Sequence, residues 1–152
     1  MLVIGLGNTD RGDDAAGLLV ARRLREAGAD AIQHTGTIAD LLDMWQSADD
    51  VLIVDTVTSG DVPGSVHVWD ARTAEFETEI FRSSTHSFGL GELLKLAGAL
   101  GRLPNHITVY GIEGSQFALG AKPSAQVLAG IERAIEQILS FERYSPSLPF
   151  DE

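Results

Sequence analysis

The chain has 152 residues, no cysteine, and a formal net charge of −11 from 22 acidic and 11 basic residues. This length suits a single domain that buries about two thirds of its unfolded surface, and the missing cysteines exclude a disulfide framework, thiolate catalysis and a cysteine-based zinc site. The acidic balance argues against a nucleic-acid backbone or an anionic membrane as partner; with Met1 leading straight into an apolar strand and no apolar run near 18 residues, a cytoplasmic, unprocessed protein is expected.

Leu2, Val3, Ile4 and Leu6 predict a first strand, and Ala16, Leu19, Val20 and Leu24 recur at helical spacing after a glycine-bearing turn. The turn carries Gly5, Gly7 and Gly12, but Asp10 stands where a dinucleotide fingerprint places its third glycine, and Asp13 and Asp14 open the helix. A helix N-terminus attracts anions, and here the chain supplies its own. No nucleotide cofactor is therefore expected, and the loop suits a cation. Asp13 reads as the helix cap, a contribution of roughly 0.5–2 kcal/mol. Asp14 reads equally as a partner of the helix dipole and as a functional carboxylate, because one residue is enough to cap.

Beyond Gly28, Ala29 to Gln33 predicts a short strand, His34 to Thr37 a turn, and Ile38 to Ser47 a helix capped by Thr37. Asp50 to Asp55 encloses four consecutive strand formers, the pattern of a strand buried on both faces. Thr56 to Gly64 reads as a turn-rich link. Ser65 to Asp70 then alternates, with Ser65, His67 and Trp69 on one face; it follows too closely for a helical crossover and should run antiparallel at an edge. After a polar stretch from Ala71 to Thr85, a helix is predicted from about Ser87 to Gly101, then a strand over His106–Ile112 and a glycine-bearing loop. Pro123 suits the first turn of a last helix striped by Val127, Leu128, Ile131, Ile135, Ile138 and Leu139. The prolines after Tyr144 predict a flexible tail over 144–152, leaving one domain over 1–143.

The alternation predicts a three-layer α/β fold: a mostly parallel five-stranded sheet in the order 2-1-3-5-4, strand 4 antiparallel, with helices on both faces. Ligands of such sheets bind beyond the carboxyl ends of the strands where the winding reverses. Between strands one and three that crevice receives the Asn8–Asp14 loop and Asp55. Asp55 reads either as a strand-ending turn residue or as a ligand; two acids in one crevice tilt the balance toward a shared cation, because like charges left together raise one pKa. His86, at the start of the third helix, would add an imidazole. Two oxygens and one nitrogen suit nickel or zinc better than magnesium. His34, His67 and His106 read as surface or structural residues, and there is no nucleophile elbow or Walker loop.

Gly5-Leu6-Gly7-Asn8, Asp13-Asp14-Ala15-Ala16-Gly17, Ile53-Val54-Asp55 and His86-Ser87-Phe88-Gly89-Leu90, followed by Tyr110-Gly111-Ile112-Glu113 and Gly120-Ala121-Lys122-Pro123, come in this order. Together they resemble the hydrogenase maturation endopeptidases over nearly the whole chain, to about Leu139. The resemblance implies an endopeptidase that removes the C-terminal extension from the large-subunit precursor of a nickel-iron hydrogenase. It implies recognition of nickel already loaded in that precursor, with Asp14, Asp55 and His86 as the metal-contacting and catalytic residues. Gly5, Gly7, Asn8, Asp13, Gly36 and Thr37 would form the supporting loops. Nickel then arrives with the substrate. Where the family commonly carries Asp-Gly-Gly-Thr, this chain has His34-Thr35-Gly36-Thr37, a departure that points to a different precursor preference. The competing reading is a non-enzymatic metal-binding or metal-chaperone α/β module, which usually adds His-rich or Cys-rich tracts absent here.

Overall fold

The computed structural model describes residues 1–75, 78–81 and 88–144. Five strands, β1 (Leu2–Leu6), β2 (Ala31–His34), β3 (Asp50–Val57), β4 (Val66–Asp70) and β5 (His106–Glu113), form one sheet in the order β2-β1-β3-β5-β4. All pairings are parallel except β4 with β5. Four α-helices, α1 (Ala16–Glu26), α2 (Leu41–Met44), α3 (Leu90–Ala99) and α4 (Ala125–Tyr144), complete the layers. The order and the antiparallel edge are those the alternation of elements predicts.

The apolar run of β3 reflects burial on both faces. Leu52 and Val54 join the core that also holds Val20 and Leu24 of α1 and Ile131 and Ile138 of α4. Val51, Ile53 and Val57 join the second core with Leu41 of α2 and Leu90, Leu93 and Leu94 of α3. Each fully buried Ile or Leu contributes roughly 1.5–3 kcal/mol, so the central strand anchors both layers. Glycine sets the close approach of α1 to the sheet: a Cβ on Gly17 would run into the main-chain carbonyls of Val54 and Leu6. Backbone atoms have nowhere to retreat. Gly17→Ala is therefore expected to lower the unfolding free energy by about 1–3 kcal/mol, read from urea denaturation; an unchanged midpoint would refute the packing argument.

Several boundaries differ from the sequence expectation. The helix expected over 38–47 is a 3-10 turn, Ile38–Asp40, followed by the single turn of α2, and Thr37 stands at the cap position without a side-chain capping bond. That turn is instead closed by His34, whose Nε2 lies 2.8 Å from the Thr37 carbonyl. β2 is shifted to Ala31–His34, and β3 continues through Thr56 and Val57, so Asp55 does not close the strand. α3 begins at Leu90, where Glu92 accepts a bond from Gly89 N at 2.9 Å. Pro123 precedes α4 rather than entering it; Ser124 Oγ accepts from Val127 N and caps the helix. α4 reaches Tyr144, and residues 145–152 of the expected tail lie outside the described residues. No described helix is long and apolar enough to cross a membrane.

Candidate functional site

The loop after β1 crosses the carboxyl end of the sheet, and its glycines answer to backbone crowding. Gly7 (φ +145°) faces the Asp14 carbonyl and Gly12 (φ +57°) the Gln116 carbonyl, each too close for a Cβ. Asn8 shapes the turn: its Oδ1 accepts from Asp10 N at 2.9 Å, and its N–H donates to the Asp14 carbonyl at 3.1 Å. Residues 12–15 then form a 3-10 turn rather than the first turn of α1. Gly36, expected to support the site, lies under the His34 ring on the β2–α2 turn.

Asp13 does not cap its own helix. Its carboxylate is fully buried and bonds across the crevice to the β5–α4 loop. Oδ2 accepts from Ser115 N and Gln116 N at 2.8 Å each, and Oδ1 accepts from Ser124 N at 2.7 Å. The Ser124 hydroxyl adds a longer contact to Oδ2. Main-chain bonds zip the same two loops together: Gly12 N to the Ala121 carbonyl, Asp13 N to the Gln116 carbonyl and Gly120 N to the Asp10 carbonyl. The helix-start reading missed this because the partners are about a hundred residues away in sequence.

Asp14 and Asp55 are brought together. Both are buried, at 6% and 5% exposure. Burial first, and the Asp14 charge second, push the Asp55 carboxyl well above the usual carboxylate range, against a lowering bond from Thr56 N to Asp55 Oδ1 at 2.8 Å. An acid held this way favours a proton, and a cation placed between the two carboxylates would take the proton's part. His86 lies outside the described residues. Phe81, the last described residue before it, bridges to Val57, two residues beyond Asp55, and Thr58 N donates to the Ile80 carbonyl at 2.7 Å. Among the described residues, no three His, Cys, Asp or Glu side chains form a cation-holding group.

Two further polar residues were not singled out from sequence. Thr56, buried next to Asp55, donates its hydroxyl to the Asp13 carbonyl at 3.0 Å. Glu113, 1% exposed at the end of β5, accepts from Ser59 N, Ser59 Oγ and Gly60 N, with His67 Nε2 at 3.2 Å. It fastens the turn that follows β3. A carboxylate closing an apolar strand was a usable signal for Glu113, the same one that singled out Asp55. His67 stacks on Trp69 and pairs with Glu113, a structural placement. His106 starts β5, at the opposite end from the acids. A cavity of about 430 Å³ also opens at that far end, beside Trp45 and Pro104, and carries no part of the acidic pair.

Comparison with known proteins gives a consistent set of relatives. The family model HycI, described as hydrogenase maturation protease, matches residues 20–141, which takes in Asp55 and His86 and starts after Asp14. Protein FrxA of Pyrococcus furiosus is 32% identical over 135 residues, covering 87% of this chain and 97% of its own. The hydrogenase 2 maturation protease of Escherichia coli is 28% identical, covering 95% and 92%. Among solved structures, the [NiFe] hydrogenase maturation protease HybD from Thermococcus kodakarensis superposes with a TM-score of 0.70 at 28% identity, covering 92% of this chain and 97% of that one. HycI from the same organism gives 0.73 at 26% identity, covering 93% and 91%.

Proposed function

The chain belongs to the hydrogenase maturation protease family of endopeptidases, and from that premise we propose that it removes the C-terminal extension of a nickel-loaded large-subunit precursor of a nickel-iron hydrogenase. The observation that carries this reading is the buried pair Asp14 and Asp55 at the switch point of the sheet, with Asp55 held toward its protonated form. Such a pair is unfavourable alone and suited to a cation that the substrate brings. The E. coli relative is named for maturing hydrogenase 2, and the Thermococcus relative for maturing a [NiFe] hydrogenase.

In this reading Asp14, Asp55 and His86 contact the nickel that the precursor carries in its own ligands. Docking at that point registers one scissile peptide bond against the enzyme; fixing reactants in this way supplies a large share of the rate of any bond cleavage. Asp13 fastens the 115–124 loop to the turn that bears Asp14, and Glu113 fastens the turn that follows β3. Cleavage adds water across the C–N bond, leaving a carboxylate on the mature subunit and an amine on the released peptide. We assign the reaction to the cytoplasm, in keeping with the absence of cysteine from the sequence.

The test is intact-mass analysis of a nickel-loaded large-subunit precursor incubated with this protein, beside a nickel-free precursor. Loss of one C-terminal peptide from the nickel-loaded form alone is the expected result. Asp14→Asn and His86→Ala are expected to stop the cleavage without unfolding the domain. Equal cleavage of both precursor forms would refute nickel-gated recognition, and no mass change with precursors of several hydrogenase types would overturn the reading.

A further inference from the structure

Thr56 follows Asp55 on β3 and is fully buried. Its N–H donates to Asp55 Oδ1 at 2.8 Å, and its hydroxyl donates to the main-chain carbonyl of Asp13 at 3.0 Å. That carbonyl belongs to the peptide group joining Asp13 to Asp14. One residue therefore holds the side chain of one acid and the backbone that carries the other.

We infer that Thr56 is a positioning residue of the cleavage site: its hydroxyl ties the turn bearing Asp14 to the strand bearing Asp55 and so sets how the two acids face the substrate. The inference rests on the proposed role of those acids. Folding alone does not call for a hydroxyl here. Thr56 is in register with Ile112, on the face whose core is Val54, Ile112 and Val127, where valine would pack as well. The Asp13 carbonyl also accepts from Ala16 N, so it keeps a partner when the hydroxyl is removed. Close packing makes the tie stiff, because a Cβ on Gly114 would come within 2.8 Å of Thr56 Cγ2 and 3.0 Å of Asp13 Cβ. There is no room for the turn to slide inward; without the hydroxyl it keeps its bonds to the β5–α4 loop, through the Asp13 carboxylate and the main chain, and loses the tie that Thr56 gives it to β3.

The experiment compares wild type, Thr56→Val and Thr56→Ser in steady-state processing of the nickel-loaded precursor and in amide hydrogen exchange of the free enzyme. For Thr56→Val, kcat is expected to fall about tenfold with KM nearly unchanged, the signature of lost alignment rather than lost binding. Exchange at the amides of Asp13 and Asp14 should quicken while the amides of β3 keep their protection. Thr56→Ser, which retains the hydroxyl, should restore both. Wild-type kcat and exchange in Thr56→Val, a rise in KM alone, or equal impairment in the serine variant would overturn the inference. If Thr56→Val does not fold, Thr56→Ala is read against Thr56→Ser by the same measures. Asp14→Asn and Asp55→Asn run in parallel: normal processing by these defeats the proposed function, while the exchange data judge the tie independently.

Discussion

Asp55→Asn is expected to reduce precursor processing by on the order of 10²–10⁴-fold while making the fold more stable at neutral pH. The loss corresponds to the roughly 3–5 kcal/mol typical of removing one partner from a buried charge contact, here the contact with the substrate's cation. The gain has a separate cause. Asp55 is buried beside Asp14, and its folded-state pKa is raised above that of the unfolded chain. Below the unfolded value both states are protonated and the site costs nothing. As pH rises past that value the unfolded chain gives up its proton more readily, and the folded state loses relative stability until the folded-state pKa is passed. Asparagine keeps an oxygen for the Thr56 N–H and carries no charge. The variant's advantage should therefore be absent at pH about 3, grow as pH rises, and reach the 0.5–2 kcal/mol common for relieving an active-site strain. Urea denaturation across a pH series measures it. A variant less stable than wild type at pH 7, or one that processes precursor normally, would contradict the role assigned to Asp55.

Asp13→Ala should be the most damaging single change to the fold near the site. The carboxylate satisfies three main-chain N–H groups, those of Ser115, Gln116 and Ser124, and alanine leaves all three without that acceptor. At about 1 kcal/mol or somewhat more for each part-buried donor, the expected loss is about 2–4 kcal/mol. For a domain of this length that lowers the melting temperature by about 5–15 °C. The effect should be local before it is global: proteolysis within 115–123 should quicken at temperatures where the sheet is intact. A simple helix-cap role would instead cost about 1 kcal/mol and leave the β5–α4 loop as protected as in wild type. Calorimetry and limited proteolysis of the same variant separate the two.

Strand β3 shows why the fold was legible. Four apolar residues in a row with no alternation require cover on both faces, and short links between a helix and the next strand leave few right-handed ways to wind the sheet. Asp55 was legible for the same reason, since a carboxylate embedded in such a run is costly unless it has a task. Asp14 stood out only beside Asp13, and which of the two was structural depended on loops that meet from opposite ends of the chain. The helix expected over 38–47 failed on a local detail: the His34 ring bonds to the Thr37 carbonyl and fastens the turn, and the segment collapses into a 3-10 turn and one turn of α2.

By itself the sequence determined the layer architecture and the strand order with its antiparallel edge. These follow from hydrophobic period, chirality and link length, which are properties of neighbouring residues. Only the tertiary structure decided that Asp13 staples the β5–α4 loop, that Glu113 fastens the turn after β3, and that the Thr56 hydroxyl reaches the turn bearing Asp14. Those bonds join residues 43 to 111 positions apart in the chain. A polar side chain has no periodicity to announce its partner, and its bond is specified only once the packed sheet has placed donor and acceptor within 3 Å.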